Sequence, residues 1–96
     1  MNIEFIVKWK IKESETDRIL KMLPELAAKS KNEKGNVSYA IYQSESDDNE
    51  LILHEQYTDV DAVEAHKKSE HYQTIVVNEI IPHLTLREVI RVKKLL

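Results

Sequence analysis

Cysteine is absent from the 96-residue chain. It therefore has no disulfide framework, no thiolate nucleophile and no cysteine-ligated zinc. The absence accords with a reducing cytoplasm, the compartment expected for it. Glycine occurs once and proline twice. So few breakers indicate a soluble chain of regular structure. A single glycine also leaves no phosphate-cradling loop, so no nucleotide cofactor is expected. A basic excess is missing: Lys and Arg number 14 against 17 Asp and Glu, a net charge of -3. That excludes a generic nucleic-acid binder, which carries a basic stripe. No apolar run approaches the ~20 residues of a membrane helix. The start, MNIEFIVKWK, is too short and too evenly charged for a signal peptide.

Apolar residues, 42% of the total, recur periodically along the whole length, which argues against disorder. One domain over residues 1–96 is expected. A chain this short buries only about 60 to 70% of its unfolded surface. Dimerisation is one way to hide the surplus.

Residues 3–11 alternate, with Ile3, Phe5, Val7, Trp9 and Ile11 on one side, which predicts a strand with one buried face. Trp9 is either a core or dimer anchor or a ligand platform. Residues 14–34 read as one helix with an apolar stripe of Ile19, Leu23, Leu26 and Ala27, capped by Ser14 and kinked at Pro24. Gly35 is expected to stop it in a left-handed conformation. Residues 36–46 and 50–57 form a hairpin around the polar turn SESDDNE. Thr58 is expected to cap a helix, with Asp61 three positions on. A second helical run covers about 70–81 and ends at Pro82. Residues 84–93 are the last strand. The order strand, helix, strand, strand, helix, strand is that of the α+β ferredoxin-like fold, a βαββαβ antiparallel sheet with helices on one face. Packing two open sheet faces in a homodimer would cover the other side.

The polar groups capable of chemistry concentrate between Leu51 and Tyr72. The residues Glu33, Gly35, Tyr39, Glu55, Tyr57, His66, Ser69, His71 and Tyr72 resemble the pattern of the antibiotic biosynthesis monooxygenase domain, including its small quinol-monooxygenase-like members. The resemblance spans nearly the whole chain. It departs at Tyr57, where many members have tryptophan. It implies a dimeric α/β barrel with a pocket between sheet and helices in each subunit. The family is mixed in function, with cofactor-free oxygenases, haem-degrading enzymes and an isomerase of a phosphorylated sugar among its members. The haem-degrading relatives carry a tryptophan where His66 stands and an iron-ligating histidine at the place of Val76, and both are absent here.

Cofactor-free oxygenation requires an electron-rich substrate, a base poised near neutrality and a dry pocket. Histidine meets the second requirement. His66 is the candidate base, since it falls on the pocket side of its short helix. Glu55 shares a strand face with Leu51 and Leu53, and is either a second catalytic carboxylate or half of an ion pair with Arg87, Arg91 or a histidine. His71, Tyr72, Tyr39, Tyr57 and Trp9 are expected substrate contacts. Tyr72 could instead be packed, and His71 could be a solvated helix end. His54 and His83 carry no motif and default to the surface. Four histidines without a close His pair and without cysteine predict no metal site. The expected function is a cofactor-independent monooxygenase acting with dioxygen on a small quinol or phenol, without nucleic-acid or membrane partners. The alternatives are an isomerase of a small phosphorylated carbonyl compound and a non-catalytic small-molecule-binding dimer.

Overall fold

A computed structural model describes residues 2–96, so only the first residue of the expected domain lies outside it. The strands are β1 (Ile3–Ile11), β2 (Asn36–Gln43), β3 (Glu50–Tyr57) and β4 (Leu84–Val92). They form one antiparallel sheet in the order β2-β3-β1-β4, the ferredoxin-like arrangement expected from the order of elements. The helices are α1 (Thr16–Leu20), α2 (Leu23–Lys31) and α3 (Val60–Lys68), followed by a π-helix (Tyr72–Ile80) and 3-10 turns at Glu13–Glu15 and Ile81–His83. None of the described helices is long and apolar enough to cross a membrane.

The register explains the core. Trp9 stands opposite Leu51, Val7 opposite Leu53, Phe5 opposite Glu55 and Ile3 opposite Tyr57. Strand side chains alternate between faces, so these residues share the face that the helices cover. Val7, Trp9, Ile11, Leu51 and Leu53 are buried there against Ile19, Leu26, Ile75, Val76 and Ile80. Arg18 ties two of the covering elements together, with Nε 2.8 Å from Glu15 Oε1 and Nη1 2.8 Å from Glu79 Oε1.

Four local expectations change. The helix expected over 14–34 is interrupted, not kinked: Lys21 and Met22 form a turn between α1 and α2. Pro24 lies in the first turn of α2, where a missing N–H leaves no intrahelical bond unmade. Ser14 caps nothing, since no side chain caps the first turn or α1. Gly35 is not left-handed, because no described residue has a positive φ. Its need for glycine is steric: a Cβ there would meet the Ala62 Cβ at 2.2 Å. Asp59, not Thr58, caps α3, and its Oδ1 accepts from the Ala62 N–H at 2.8 Å. A carboxylate there also favours the positive end of the helix dipole.

Candidate active site

A cavity of about 250 Å3 lies between the sheet and the α3–π-helix pair. Its floor is Phe5, Val7 and Trp9 of β1 with Tyr39 of β2 and Glu55 and Tyr57 of β3. Val63, His66 and Lys67 of α3 and Tyr72 and Val76 of the π-helix roof it, while Arg87 and Val89 of β4 complete it. Lys67, Arg87 and Val89 are exposed, so the cavity reaches solvent on the β4 side. Six of the seven side chains expected at the site line this space: His66, Glu55, Tyr72, Tyr39, Tyr57 and Trp9. His71 does not.

His66 is buried in the last turn of α3. Three tyrosine rings surround it, with centroids at 5.0 Å (Tyr72, edge-on), 5.2 Å (Tyr57) and 5.9 Å (Tyr39). Behind the ring, Glu33 Oε2 lies 2.7 Å from Nδ1. A carboxylate only accepts, so Nδ1 carries the proton, and the lone pair of the neutral ring sits on Nε2. Nε2 faces Glu55 Oε1 across 3.9 Å. That span is too long for a direct hydrogen bond, but a single oxygen placed about 2.8 Å from each atom bridges it.

Glu55 is the buried carboxyl of the cavity. Burial pushes its proton affinity above the usual carboxylate range, against the pull of the Tyr57 hydroxyl and His66. The Tyr57 hydroxyl donates to Glu55 Oε1 at 2.7 Å. Of the partners foreseen for Glu55, a histidine is the one that stands near it, and neither Arg87 nor Arg91 forms an ion pair with it. Burial first, and the Glu55 charge second, push the Tyr39 and Tyr57 phenols above the ordinary phenol range. Both remain protonated at neutral pH, and the Tyr57 hydroxyl is a donor, to Glu55. Trp9 Nε1 is buried on the cavity floor with no hydrogen-bond partner. An unpaired buried donor is expensive unless a ligand satisfies it.

Ser69 explains where His71 goes. α3 stops at Lys68, and the Ser69 Oγ–H donates to the His66 carbonyl at 2.6 Å while accepting from the Tyr72 N–H at 3.2 Å. The chain turns there, and His71 swings behind His66, with Nε2 2.5 Å from Glu33 Oε2. Glu33 thus holds both histidines, a role that sequence reasoning missed. In the sequence it is only the first residue of a Glu-x-Gly turn, 33 positions before His66.

The sequence model of the antibiotic biosynthesis monooxygenase family matches residues 3–78. The chain belongs to this family. Solved structures agree in fold. An antibiotic biosynthesis monooxygenase superposes with a TM-score of 0.89 at 23% identity, covering 97% of this chain and 98% of its own. Rv0793 from Mycobacterium tuberculosis gives 0.87 at 23% identity, with 99% and 96% covered. PA3566 from Pseudomonas aeruginosa gives 0.89 at 21% identity, with 99% and 95% covered. At these identities the likeness is one of fold. A search of curated proteins found no match to this member of the family.

Proposed function

We propose that this family member is a cofactor-independent monooxygenase that oxidises a small phenol or hydroquinone with dioxygen, with His66 as the base. The observation that carries the reading is the Glu33–His66 pair, whose proton on Nδ1 leaves a lone pair on Nε2 in the wall of an aromatic cavity. The same logic orients the histidine of a catalytic triad.

In this reading a substrate hydroxyl lies between His66 and Glu55, donating to His66 Nε2 and accepting from the protonated form of the Glu55 carboxyl. His66 takes the hydroxyl proton, and the phenolate passes one electron to dioxygen. Superoxide and the phenoxyl radical join to form a carbon–oxygen bond and, after protonation, a hydroperoxide. Loss of the ring C–H proton and cleavage of the O–O bond release water and leave the quinone. The substrate supplies both electrons that reduce the second oxygen atom, so the balance needs no external reductant. The unpaired Trp9 N–H is a donor available to the developing anion. The apolar lining from Val7, Val63 and Val76 excludes water that would solvate the base and the radical pair.

The working unit in this reading is a homodimer formed through the uncovered sheet face. Tyr42, Leu86 and Ile90, all exposed, lie on that face. One observation favours a second reaction at the same site. Arg87 and Lys67 give the cavity a cationic side, which suits a phosphorylated carbonyl substrate isomerised by proton shuttling.

The test is oxygen uptake by metal-stripped protein with a panel of reduced quinones and phenols. His66→Ala is expected to lower uptake over autoxidation at least ~100-fold, the lower end of what a positioned base contributes. Glu33→Gln is expected to lower the rate and change its pH profile, since it no longer fixes the His66 proton on Nδ1. Uptake equal in wild type and His66→Ala would overturn the assignment. Anaerobic isomerisation of a phosphorylated carbonyl compound would establish the second reading instead.

A further inference from the structure

Glu33, His66 and His71 arrive at one point from three parts of the chain: the turn after α2, the last turn of α3 and the residue before the π-helix. Their donor atoms all lie within 4.8 Å of one another. Glu33 Oε2 is 2.7 Å from His66 Nδ1 and 2.5 Å from His71 Nε2. The side chains are 18%, 5% and 12% exposed in that order, so the point is shielded on most sides yet reachable from solvent. We propose that these three side chains bind a divalent transition-metal ion of the zinc, cobalt or ferrous class.

The donor set selects that class. Two imidazoles and one carboxylate suit borderline ions, whereas calcium and magnesium take oxygen donors. The distances fit after a small adjustment. Metal–ligand bonds of about 2.0 to 2.2 Å set neighbouring donors roughly 3 to 3.5 Å apart. The Glu33 oxygen then needs to withdraw by about 1 Å or less, and the two imidazole nitrogens, which lie within 4.8 Å of each other, need to stand at that spacing as well. Glu33 lies outside both α2 and β2, so its side chain can move without disturbing a helix or strand.

The surroundings already have the form of an outer shell. A ligating histidine donates its second ring N–H to a carboxylate, which fixes ring and tautomer. Glu55 Oε1, held by the Tyr57 hydroxyl, stands 3.9 Å from His66 Nε2, beyond a direct hydrogen bond but within reach of that N–H through one bridging water. Ser69, whose Oγ lies 3.2 Å from His71 Nε2, holds the break after α3 that brings the second histidine round. Coordination positions beyond these three would be filled by water from the exposed side.

The ion and the shared proton exclude each other. With a metal on Nδ1, the neutral His66 ring carries its proton on Nε2 and can no longer accept one from a substrate. If the oxygenase reading holds, metal loading suppresses turnover, and the ion acts as an inhibitor.

The experiment uses the full chain, stripped with a chelator and titrated with Co2+ at neutral pH, with substrate absent. The expected result is one equivalent of cobalt per chain, with visible absorption distinct from the aqueous ion and displaceable by Zn2+. His71→Gln and Glu33→Gln are each expected to weaken binding at least ~10-fold, the scale reached by losing even an outer-shell partner. Circular dichroism checks that each variant folds, and either one alone suffices. His54→Gln is the control, since His54 pairs with Glu4 on the opposite sheet face and its loss should leave binding unchanged. No cobalt spectrum in folded wild-type protein, or binding kept in His71→Gln and lost in His54→Gln, would overturn the site. Cobalt binding is read without substrate, so failure of the oxygen-uptake test leaves it standing, and the reverse holds too.

Discussion

Glu55 is the residue whose environment opposes its ordinary charge. Burial raises its proton affinity, so the folded protein binds that proton more tightly than the unfolded chain does. Below the ordinary carboxylate range both states are protonated and the contribution to stability is fully present. As pH rises through the raised folded value the contribution is lost, because the unfolded chain has ionised at no penalty. Glu55→Gln keeps an oxygen for the Tyr57 hydroxyl and cannot ionise. Thermal unfolding of metal-free protein should therefore show the variant gaining on wild type as pH rises from about 4 to 7, with the gap closing at the acid end. A gap independent of pH would mean that the carboxyl is not desolvated in the folded protein. Strand alternation was enough to group Glu55 with Leu51, Leu53 and Tyr57 and to set Trp9 beside Phe5 and Val7, but it left open whether Trp9 and the tyrosines met the helices or a second sheet, and the structure places Trp9, Tyr39 and Tyr57 beneath the helices. The role of Glu33 was not legible. Nothing local joins position 33 to positions 66 and 71, and only the approach of a turn to the end of α3 creates the cluster.

Among the elements, α3 is the one whose placement the site depends on, because it carries His66 and ends where His71 turns back. Gly35 lets it come close. Its carbonyl accepts from the Thr58 N–H at 2.9 Å, just ahead of the Asp59 cap, and Ala62 sits where a side chain at position 35 would be. Gly35→Ala should push the first turn of α3 outward and destabilise the protein by about 1 to 3 kcal/mol, the usual penalty for overpacking. Adding Ala62→Gly removes the nearest methyl and should recover part of that loss, less about 1 kcal/mol of helix propensity. Urea midpoints of the two variants decide it, and a Gly35→Ala midpoint equal to wild type would show that the contact relaxes freely. The sequence pattern identified this glycine as special for another reason, a left-handed helix stop, because close approach is a property of two distant segments. Likewise, a 3.6-residue stripe ran unbroken through the turn at Lys21 and Met22. Over the nine residues of Tyr72–Ile80 it could not separate an α-helix from a π-helix.

At the scale of the whole molecule, the helices lie on one face of the sheet, and the molecule is a slab 18 Å across its thinnest dimension. The order of elements was enough to foresee this, since alternation and helix period agree over most of the chain. The opposite face has no cover. On it Ile6 sits between His54 of β3 and Ile90 of β4, and Ile52 sits between Lys8 and Tyr42. Tyr42 is 60% and Ile90 49% exposed. Most of the charges interleaved with them are internally paired, Glu4 with His54, Lys8 with Glu50 at 3.8 Å and Lys10 with Asp47 at 3.2 Å, while Glu88, opposite Lys8 on β4, forms no ion pair among the described residues. Pairing across neighbouring strands removes most of the electrostatic penalty of covering the face, while the apolar side chains favour doing so. A second sheet packed about 10 Å away would bury both. Sedimentation equilibrium at micromolar concentration should therefore give the mass of two chains. Ile90→Lys should shift that equilibrium toward one chain, because the new ammonium has no carboxylate opposite it on β1, where its neighbour is Ile6. Its circular dichroism should stay that of wild type, since Ile90 contributes nothing to the core beneath the helices. A wild-type protein that sediments as a single chain at that concentration would mean that this face tolerates water, and with it the homodimer would fall.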